Sequence, residues 1–335
     1  MDDSQPPARR KILVIRFSSI GDIVLTTPII RALKKSYPDS EIHILTKKAN
    51  RMVLEYNPYI TKFHTFSVSP TEILPELRAE QFDFVADLQK NHRSRQIVRQ
   101  LGRPHATFNK CNFAKWLFVN LKINTLPDKH IVDRYFDAVA PLNVHNDNQG
   151  LDFFIPESEE YDELDLPATF EDGYVAVSVG SIHATKRIPA DKIVEIGRIL
   201  HKPIMLLGGK DVAAVGEQIA AQLDGKAYNG CGKFSLYESA SIIDQSDCVL
   251  TGDTGLMHIA AALNKPIAAM WGNTVTEFGM YAYNPQHPEL VRNFEIWPLP
   301  CRPCSKLGYN RCPRKHHNCM NLISALEVAT WINQF

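Results

Sequence analysis

One stretch of the sequence, residues 249–263, most restricts the folds open to this chain. An apolar run ends in the sequence Thr-Gly-Asp-Thr-Gly at 251–255 and passes at once into helix-forming residues. This pattern predicts a buried strand, a tight turn and the start of a helix. Because the first N–H groups of a helix lack partners within it, and glycine lets a ligand come close, such a junction can hold a diphosphate without a metal. The alternative is that Asp253 or Thr254 only caps a helix of an α/β fold.

The size and charge of the chain limit what this turn can belong to. With 335 residues and 44% hydrophobic residues, the chain exceeds the usual size of one core and is predicted to form two domains. Lysine plus arginine and aspartate plus glutamate both number 37, so no overall positive field favours nucleic acid as a partner. No apolar run approaches the roughly 18 residues of a transmembrane helix, and we expect a soluble, cytoplasmic protein.

Strand and helix patterns alternate along the first half of the chain. Residues 11–16 form an apolar run, and the polar loop 17–22 separates it from a helical pattern that contains Pro28. This helix either kinks at the proline or begins there, and in both cases Asp22 lies beside the end of the strand. Further strand patterns follow at 41–46, 62–66 and 82–87. The alternation predicts an α/β fold with a parallel, doubly wound sheet.

A polar, basic run, residues 88–95, follows the strand at 82–87. The carboxyl end of a parallel strand opens on a crevice, so this run could bind an acidic substrate. The alternative is a solvated start of a helix with surface arginines.

Residues 112–122 predict a helix with two possible environments. Trp116 and Phe118 lie between Lys110, Lys115 and Lys122. Such a segment could lie at a membrane surface, whereas its aromatic residues could equally be packed into a core.

The second half of the chain repeats the organisation of the first. Residues 141–170 are rich in proline and acidic residues, as expected of a connection between domains. Strand patterns then recur at 173–180, at 203–207 before Gly208-Gly209, and at 265–271. No G-x-G-x-x-G pattern and no P-loop occurs, which weakens the dehydrogenase and NTPase interpretations. Nucleotide-sugar transfer accounts for both the two-domain layout and the phosphate-type turn.

Four motifs in order resemble one known family. They are Ile15–Pro28, Asp87–Asn91, Lys186–Pro189 and Gly252–His258. Together they resemble the bacterial lipopolysaccharide heptosyltransferases of glycosyltransferase family 9, over nearly the whole chain. The resemblance implies a GT-B fold, in which two Rossmann-like domains face each other across a cleft. It implies an acceptor domain at 1–160, a donor domain at 161–320 and a last helix, 321–335, that returns to the first domain.

The resemblance also implies the site residues. Asp22 matches the proposed general base of the family, and Lys186 matches its donor-phosphate lysine. The other donor-binding residues implied are Arg187, Gly208, Gly209, Asp253, Thr254, Gly255, Leu256 and His258. The acceptor-binding residues implied are Ser18, Gly21, Gln89, Asn91, Arg93 and Arg95. Two stretches, Lys210-Asp211 and 272–277, depart from the family pattern, which leaves the contacts to the nucleotide and sugar open.

The reaction implied is a single inverting displacement that moves a heptose from ADP-heptose to an inner-core sugar of lipopolysaccharide without a catalytic metal. The lipid-linked acceptor implies peripheral contact with the inner face of the cytoplasmic membrane. Three alternatives remain open: a GT-B nucleotide-sugar epimerase, a transferase of another sugar to a surface glycan, and a non-catalytic nucleotide-sugar sensor.

A cysteine cluster near the end of the chain is a separate candidate site. Cys301, Cys304, Cys312 and Cys319 occur within 19 residues, with His316 and His317 between the last two. This composition is typical of a structural zinc site, although the spacing is not that of a regular zinc finger. The alternatives are reduced thiols in a compact loop or an adventitious disulfide.

Overall fold

The structure is a computed structural model that describes residues 10–162 and 166–335. Residues 1–9 and 163–165 lie outside the described part, and with them Glu163 and Asp165 of the predicted linker. The first half of the chain forms β1 (Lys11–Ile15), α1 (Ile20–Val24), α2 (Thr27–Ser36), β2 (Glu41–Lys47), β3 (Lys62–Phe66), α3 (Leu74–Ala79), β4 (Phe84–Asp87), α4 (His92–Leu101), β5 (His105–Thr107), α5 (Asn112–Leu121) and α6 (Ile131–Tyr135). The second half forms β6 (Val175–Ser178), α7 (Ala190–Ile199), β7 (Ile204–Leu207), α8 (Ala213–Ala221), β8 (Ala227–Asn229), α9 (Leu236–Gln245), β9 (Cys248–Thr251), α10 (Gly255–Ala262), β10 (Ile267–Met270), β11 (Val291–Phe294), α11 (Asn318–Asn321) and α12 (Ala325–Ile332).

The strands form two parallel sheets. The first has the order β3-β2-β1-β4-β5 and the second β11-β10-β9-β6-β7-β8. Because both faces of a parallel sheet are covered, strands such as β7 are apolar and buried along their whole length. The strand order reverses between β1 and β4 in the first sheet and between β6 and β9 in the second. At each reversal the loops after two neighbouring strands diverge and leave a crevice at the carboxyl ends.

Proline placement explains how the chain leaves β1. The predicted helix is divided into α1 and α2, and Pro28 is the second residue of α2, where its missing N–H costs no helical hydrogen bond. Asp22 therefore lies within the short helix α1, close to the end of β1.

The chain divides into two compact units at different places from those predicted. The first unit comprises Met1–Lys110 and Lys129–Phe154, and the second comprises Cys111–Asp128 and Ile155–Phe335. The last boundary lies close to the predicted one at residue 160. The excursion of residues 111–128 into the second unit was not predicted.

Helix α5 belongs to the second unit because its aromatic side chains pack there. Phe118 is 5% exposed, its ring lies 6.1 Å from that of Phe278, and it stacks on Trp297 at 6.4 Å. At the end of the helix, the Lys122 ammonium donates to the carbonyl oxygen of Pro303 at 2.7 Å. Of the two environments left open for this segment, Phe118 lies in a core.

The last helix also packs differently from its prediction. Helix α12 buries Val328, Ala329 and Ile332 in the core of the second unit, where it contacts α7. Its apolar face is thereby covered, and the structure assigns the helix to the second unit and not to the first.

Within the described ranges, none of the helices is both long and apolar enough to cross a membrane.

Candidate functional site

The first unit holds Asp22 at the switch point of its sheet. Asp22 is the third residue of α1, and its Oδ2 accepts hydrogen bonds from the Ser19 backbone N–H at 3.2 Å and the Ser19 hydroxyl at 2.9 Å. Its other oxygen, Oδ1, forms an ion pair with the Arg16 guanidinium at 2.6 Å. The side chain of Asp22 is 25% exposed, so this oriented carboxylate is partly accessible to solvent.

Arg16 contacts the two loops that border this crevice. It is 7% exposed and donates to the carbonyl oxygens of Ser18 and Leu88 and to the hydroxyl of Tyr135. Burial is the largest single influence and disfavours the charged guanidinium, but Asp22, Tyr135 and Asp87 together outweigh it and keep the pKa of Arg16 above its ordinary value. Arg16 thus joins the loops after β1 and β4.

A second cation lies near Asp22. Lys110 follows β5, and burial, together with the positive charge of Arg16, lowers its pKa to about 8. The carboxylates of Asp22 and Asp87 act in the opposite direction. The carboxyl ends of β1, β4 and β5 therefore bring several charges of both signs to one edge of the sheet.

Of the residues predicted to bind the acceptor, some make hydrogen bonds within the loops after β1 and β4, and others lie on the exposed side of α4. Gln89 accepts the Phe17 N–H at 2.8 Å, and Asn91 caps α4 by accepting the Ser94 N–H at 2.9 Å. By contrast, Arg93 and Arg95 lie on the exposed side of α4, and Arg93 donates to the carbonyl oxygen of Val68. The remaining predicted residues, Ser18 and Gly21, belong to the loop and helix around Asp22.

The second unit brings Lys186 and Asp253 together at the switch point of its own sheet. Lys186 follows β6 and Asp253 follows β9, and the ammonium lies 2.6 Å from Asp253 Oδ2. The hydroxyl of Thr274, after β10, donates to the same oxygen at 3.0 Å. The Lys186 and Asp253 side chains are 17% and 11% exposed, so this ion pair is largely shielded from water.

The turn after β9 ends in a capped helix. Thr254 accepts the Met257 N–H at 3.3 Å and also contacts the hydroxyls of Thr251 and Ser178. Helix α10 begins at Gly255, so the free N–H groups of its first turn lie directly after Asp253. A helix N-terminus beside a lysine ammonium can stabilise a diphosphate.

Two glycines allow the three loops to lie against one another. A Cβ on Gly252 would lie 2.3 Å from the carbonyl oxygen of Lys186, and a Cβ on Gly272 would lie 2.4 Å from that of Thr185. Both contacts are with backbone, which cannot move aside cheaply. Glycine at these positions is therefore required by the close approach of the loop that carries Lys186.

The other predicted donor residues are less directly placed. Arg187 forms an ion pair with Asp211 at 3.0 Å and donates to the Ser181 carbonyl oxygen, so its charge already has another partner. Gly208 and Gly209 follow β7, Leu256 is half-buried in α10, and His258 is buried in the same helix.

The four C-terminal cysteines line a single cavity. They border, with His316 and His317, a cavity of about 340 Å³, and Cys301 Sγ lies 3.9 Å from His316 Nε2. Asn273 lines the same cavity and is 1% exposed, and its amide nitrogen and oxygen have no hydrogen-bond partner in the part of the chain that the structure describes. Thiols and imidazoles are the ligand types that zinc prefers, but within the described residues no three of these thiol and imidazole atoms lie within 4.8 Å of one another.

Elsewhere, His43, His64 and Glu80 bring their ligand atoms within 4.8 Å of one another. These groups already satisfy each other and their neighbours. The two imidazoles are hydrogen-bonded at 2.9 Å, and Glu80 accepts from Lys11 at 2.9 Å and Lys62 at 2.6 Å. We assign this group a structural role.

Three residues of these sites were missed by the sequence analysis: Arg16, Thr274 and Lys110. Each directly follows a strand or its loop in a parallel sheet, and that position was the available signal. Arg16 lies within the first of the four family motifs, Lys110 is assigned there only to the flank of the helix at 112–122, and Thr274 lies within a stretch that departs from the family pattern.

Comparison with known proteins gives a consistent result. The sequence profile of glycosyltransferase family 9 (heptosyltransferase) matches residues 71–308. Lipopolysaccharide heptosyltransferase 1 of Campylobacter coli is 25% identical over 293 residues, which cover 79% of this chain and 84% of that protein.

Two solved structures share the fold. A glycosyl transferase family 9 protein from Veillonella parvula has a TM-score of 0.74 at 23% identity and covers 97% of each chain. The E. coli ADP-heptose lipopolysaccharide heptosyltransferase II has a TM-score of 0.70 at 20% identity, and the match covers 97% of this chain and 98% of that one. The expected α/β architecture of the GT-B class, with two parallel sheets, is confirmed.

Proposed function

Because this chain belongs to glycosyltransferase family 9, we propose that it moves a heptose from ADP-heptose to an inner-core sugar of lipopolysaccharide. Family membership makes the chain an enzyme, a glycosyltransferase of the heptosyltransferase type that acts in lipopolysaccharide biosynthesis. ADP-heptose is proposed as the donor because the E. coli structural relative is an ADP-heptose lipopolysaccharide heptosyltransferase. The observation that carries it is the Lys186–Asp253 pair at the start of α10, which suits the diphosphate of a nucleotide sugar.

The proposed chemistry is an inverting displacement in one step. The acceptor hydroxyl attacks the anomeric carbon, Asp22 takes its proton, and the bond from that carbon to the diphosphate oxygen breaks with its electron pair. Lys186 and the first N–H groups of α10 stabilise the negative charge that builds on the departing ADP. Asp22 contributes as an oriented general base and Lys186 as an electrostatic group, and no step needs a metal.

A transfer assay tests this function. The protein is incubated with a panel of nucleotide sugars and delipidated core acceptors, and products are identified by mass spectrometry. We expect the acceptor to gain the mass of one heptose, with release of ADP, only when ADP-heptose is supplied. Conversion of the donor to an epimer without any change in the acceptor would refute the transfer.

We further propose that the cysteine cavity holds a structural zinc-like ion, independent of catalysis. The proposal is supported by four cysteines and two histidines around one cavity and by the unpaired amide of Asn273 beside them. Lys122, which also lines this cavity, brings a positive charge close to Cys301 and Cys304, and this charge would stabilise thiolate ligands.

We expect protein purified without chelator and without an affinity-column metal to carry about one equivalent of zinc. Removal of the ion should lower the melting temperature and make the four thiols reactive. Elemental analysis and thiol titration check this, with Cys304→Ser as the test variant and Cys111→Ser, outside the cavity, as the control. If the protein carries no metal and all four thiols titrate freely, the cavity contains only reduced thiols and the metal proposal is wrong.

We also propose that α5 touches the inner face of the cytoplasmic membrane. Phe113 and Trp116 are 73% and 53% exposed, and their rings stack at 6.3 Å. The flanking lysines contribute less than the sequence suggested, since Lys115 lies over the Phe278 ring and Lys122 donates to backbone carbonyls. Contact therefore depends mainly on the two aromatic rings, which suit the interfacial region of a bilayer.

We expect the protein to co-sediment weakly with anionic vesicles, and Trp116→Ala combined with Phe113→Ala to abolish this binding without changing the melting temperature. Leu322→Ala, at a residue 57% exposed on another segment, is the matched control and should bind like the wild type. Equal binding of the double variant and the wild type would remove α5 as the contact.

A further inference from the structure

The loop after β10 lies against the proposed phosphate site without belonging to it. Thr274 is 2% exposed, and its hydroxyl donates to Asp253 Oδ2 at 3.0 Å. That same carboxylate oxygen receives the Lys186 ammonium at 2.6 Å. One oxygen of Asp253 therefore has two donors, one neutral and one charged.

Arg302 fixes the loop that carries Thr274. Its guanidinium, 1% exposed, donates to the carbonyl oxygens of Gly272 at 2.8 Å and Thr274 at 2.9 Å. The same side chain is paired with Glu295 at 2.6 Å. Since both ends of residues 272–274 are held by one buried cation, the Thr274 hydroxyl has little freedom to leave Asp253.

The two donors on Asp253 would respond differently to a bound diphosphate. Lys186 is attracted to the phosphate oxygens and must leave or share the carboxylate, whereas the neutral Thr274 hydroxyl has no reason to move. A carboxylate without any fixed donor could turn toward the phosphates, and like charges a few ångströms apart in a shielded site repel strongly. A fixed hydroxyl keeps the Asp253 carboxylate in place when Lys186 changes partner.

We propose that Thr274, held in place by Arg302, is a positioning residue for donor binding, because it keeps Asp253 oriented while Lys186 engages the diphosphate. This inference rests on the proposed function, in which the second unit binds ADP-heptose. It assigns a role to a residue that contacts neither the donor nor the acceptor in the proposed reaction.

The test compares Thr274→Val with Thr274→Ser. Valine keeps the shape of threonine but removes the hydroxyl, so the Kd for ADP and the KM for ADP-heptose should rise about tenfold, the usual effect of losing a hydrogen bond to a charged group. Serine, which retains the hydroxyl, should restore both values. The KM for the acceptor should not change. Thr330→Val is the control, because Thr330 lies at an exposed position of α12, and this variant should leave both values unchanged.

A double-mutant cycle separates positioning from general stability. If Thr274 acts by orienting the Asp253 carboxylate, the effect of Thr274→Val on ADP affinity should largely disappear when Asp253 is already asparagine. A Thr274→Val protein with the ADP affinity of the wild type, or full additivity with Asp253→Asn, would overturn the inference. Unchanged ADP affinity in Lys186→Ala alone would instead overturn the proposed donor site, so the two failures are distinguishable.

Discussion

Replacement of Asp22 by asparagine is expected to lower kcat by about 10²–10⁴-fold, the usual contribution of a general base. Asparagine has nearly the same volume and still offers an oxygen to the Ser19 N–H and hydroxyl, which Asp22 accepts at 3.2 and 2.9 Å. It cannot accept the proton of the acceptor hydroxyl. Because the donor site lies in the other unit, the Kd for ADP-heptose should stay unchanged, and steady-state kinetics with donor titration checks both values.

The control for Asp22 must separate its chemistry from its structural contacts. Asp22 also pairs with the buried Arg16, and a change at a buried pair can destabilise a protein. Ser19→Ala removes the hydroxyl hydrogen bond to the same carboxylate and keeps the backbone N–H and the base, so it should retain kcat within about tenfold. If the Asp22→Asn enzyme turns over like the wild type, Asp22 is only a helix residue paired with Arg16.

Replacement of Lys186 by alanine should weaken donor binding and turnover together. Its ammonium is the positive charge that we assign to the donor diphosphate, and loss of one such group usually costs about 10²–10³-fold in rate. We expect kcat/KM for ADP-heptose to fall by about that factor and the Kd for ADP to rise with it. Calorimetric titration with ADP and initial-rate kinetics measure the two effects.

Arg187→Ala is the matched comparison for Lys186. Arg187 is the next residue in the chain and carries the same charge, but it is paired with Asp211 at 3.0 Å, whereas Lys186 is paired with Asp253. A general loss of positive charge would affect both variants equally, whereas our assignment requires a much smaller effect at Arg187. An ADP affinity that is the same in Lys186→Ala and the wild type contradicts the assignment.

Much of the fold could be predicted because local patterns determine it. Parallel strands such as β7 are apolar along their whole length, and turns such as 251–255 combine glycine with a helix-capping residue, so both appear in a single stretch of sequence. The Asp22 and Asp253 turns were found in this way. Thr274, the partner of Asp253, could not be found in this way, because that contact depends on β9 and β10 becoming neighbours in the sheet. Arg16 lies six residues before Asp22 in the same unit, but its sequence position does not show that its side chain turns back to the carboxylate.

The helices were predicted less well than the strands for the same reason. The apolar face of an amphipathic helix indicates that the helix packs against another element, but it does not indicate which element. Phe118 and Trp116 are both aromatic residues of one helical segment, and the sequence does not show which of them is buried. Phe118 is buried against Phe278, whereas Trp116 is 53% exposed. Likewise, the apolar face of α12 is evident from its pattern, but its contact with α7 follows only from the packing of the second unit.

The excursion of residues 111–128 into the second unit has a consequence for biosynthesis. The first unit is complete in sequence at Phe154, whereas α5 must wait for Phe278, which is made 160 residues after Phe118. At about 5–20 residues per second, this delay is on the order of ten to thirty seconds on the ribosome. During that time Phe118, the buried aromatic residue of this helix, has no native surface to cover it. A chain that stops at Phe154 therefore contains the whole first unit and an apolar segment that lacks its partners. Because each unit is made of two stretches of sequence, cleavage of the chain at one position cannot separate the units intact.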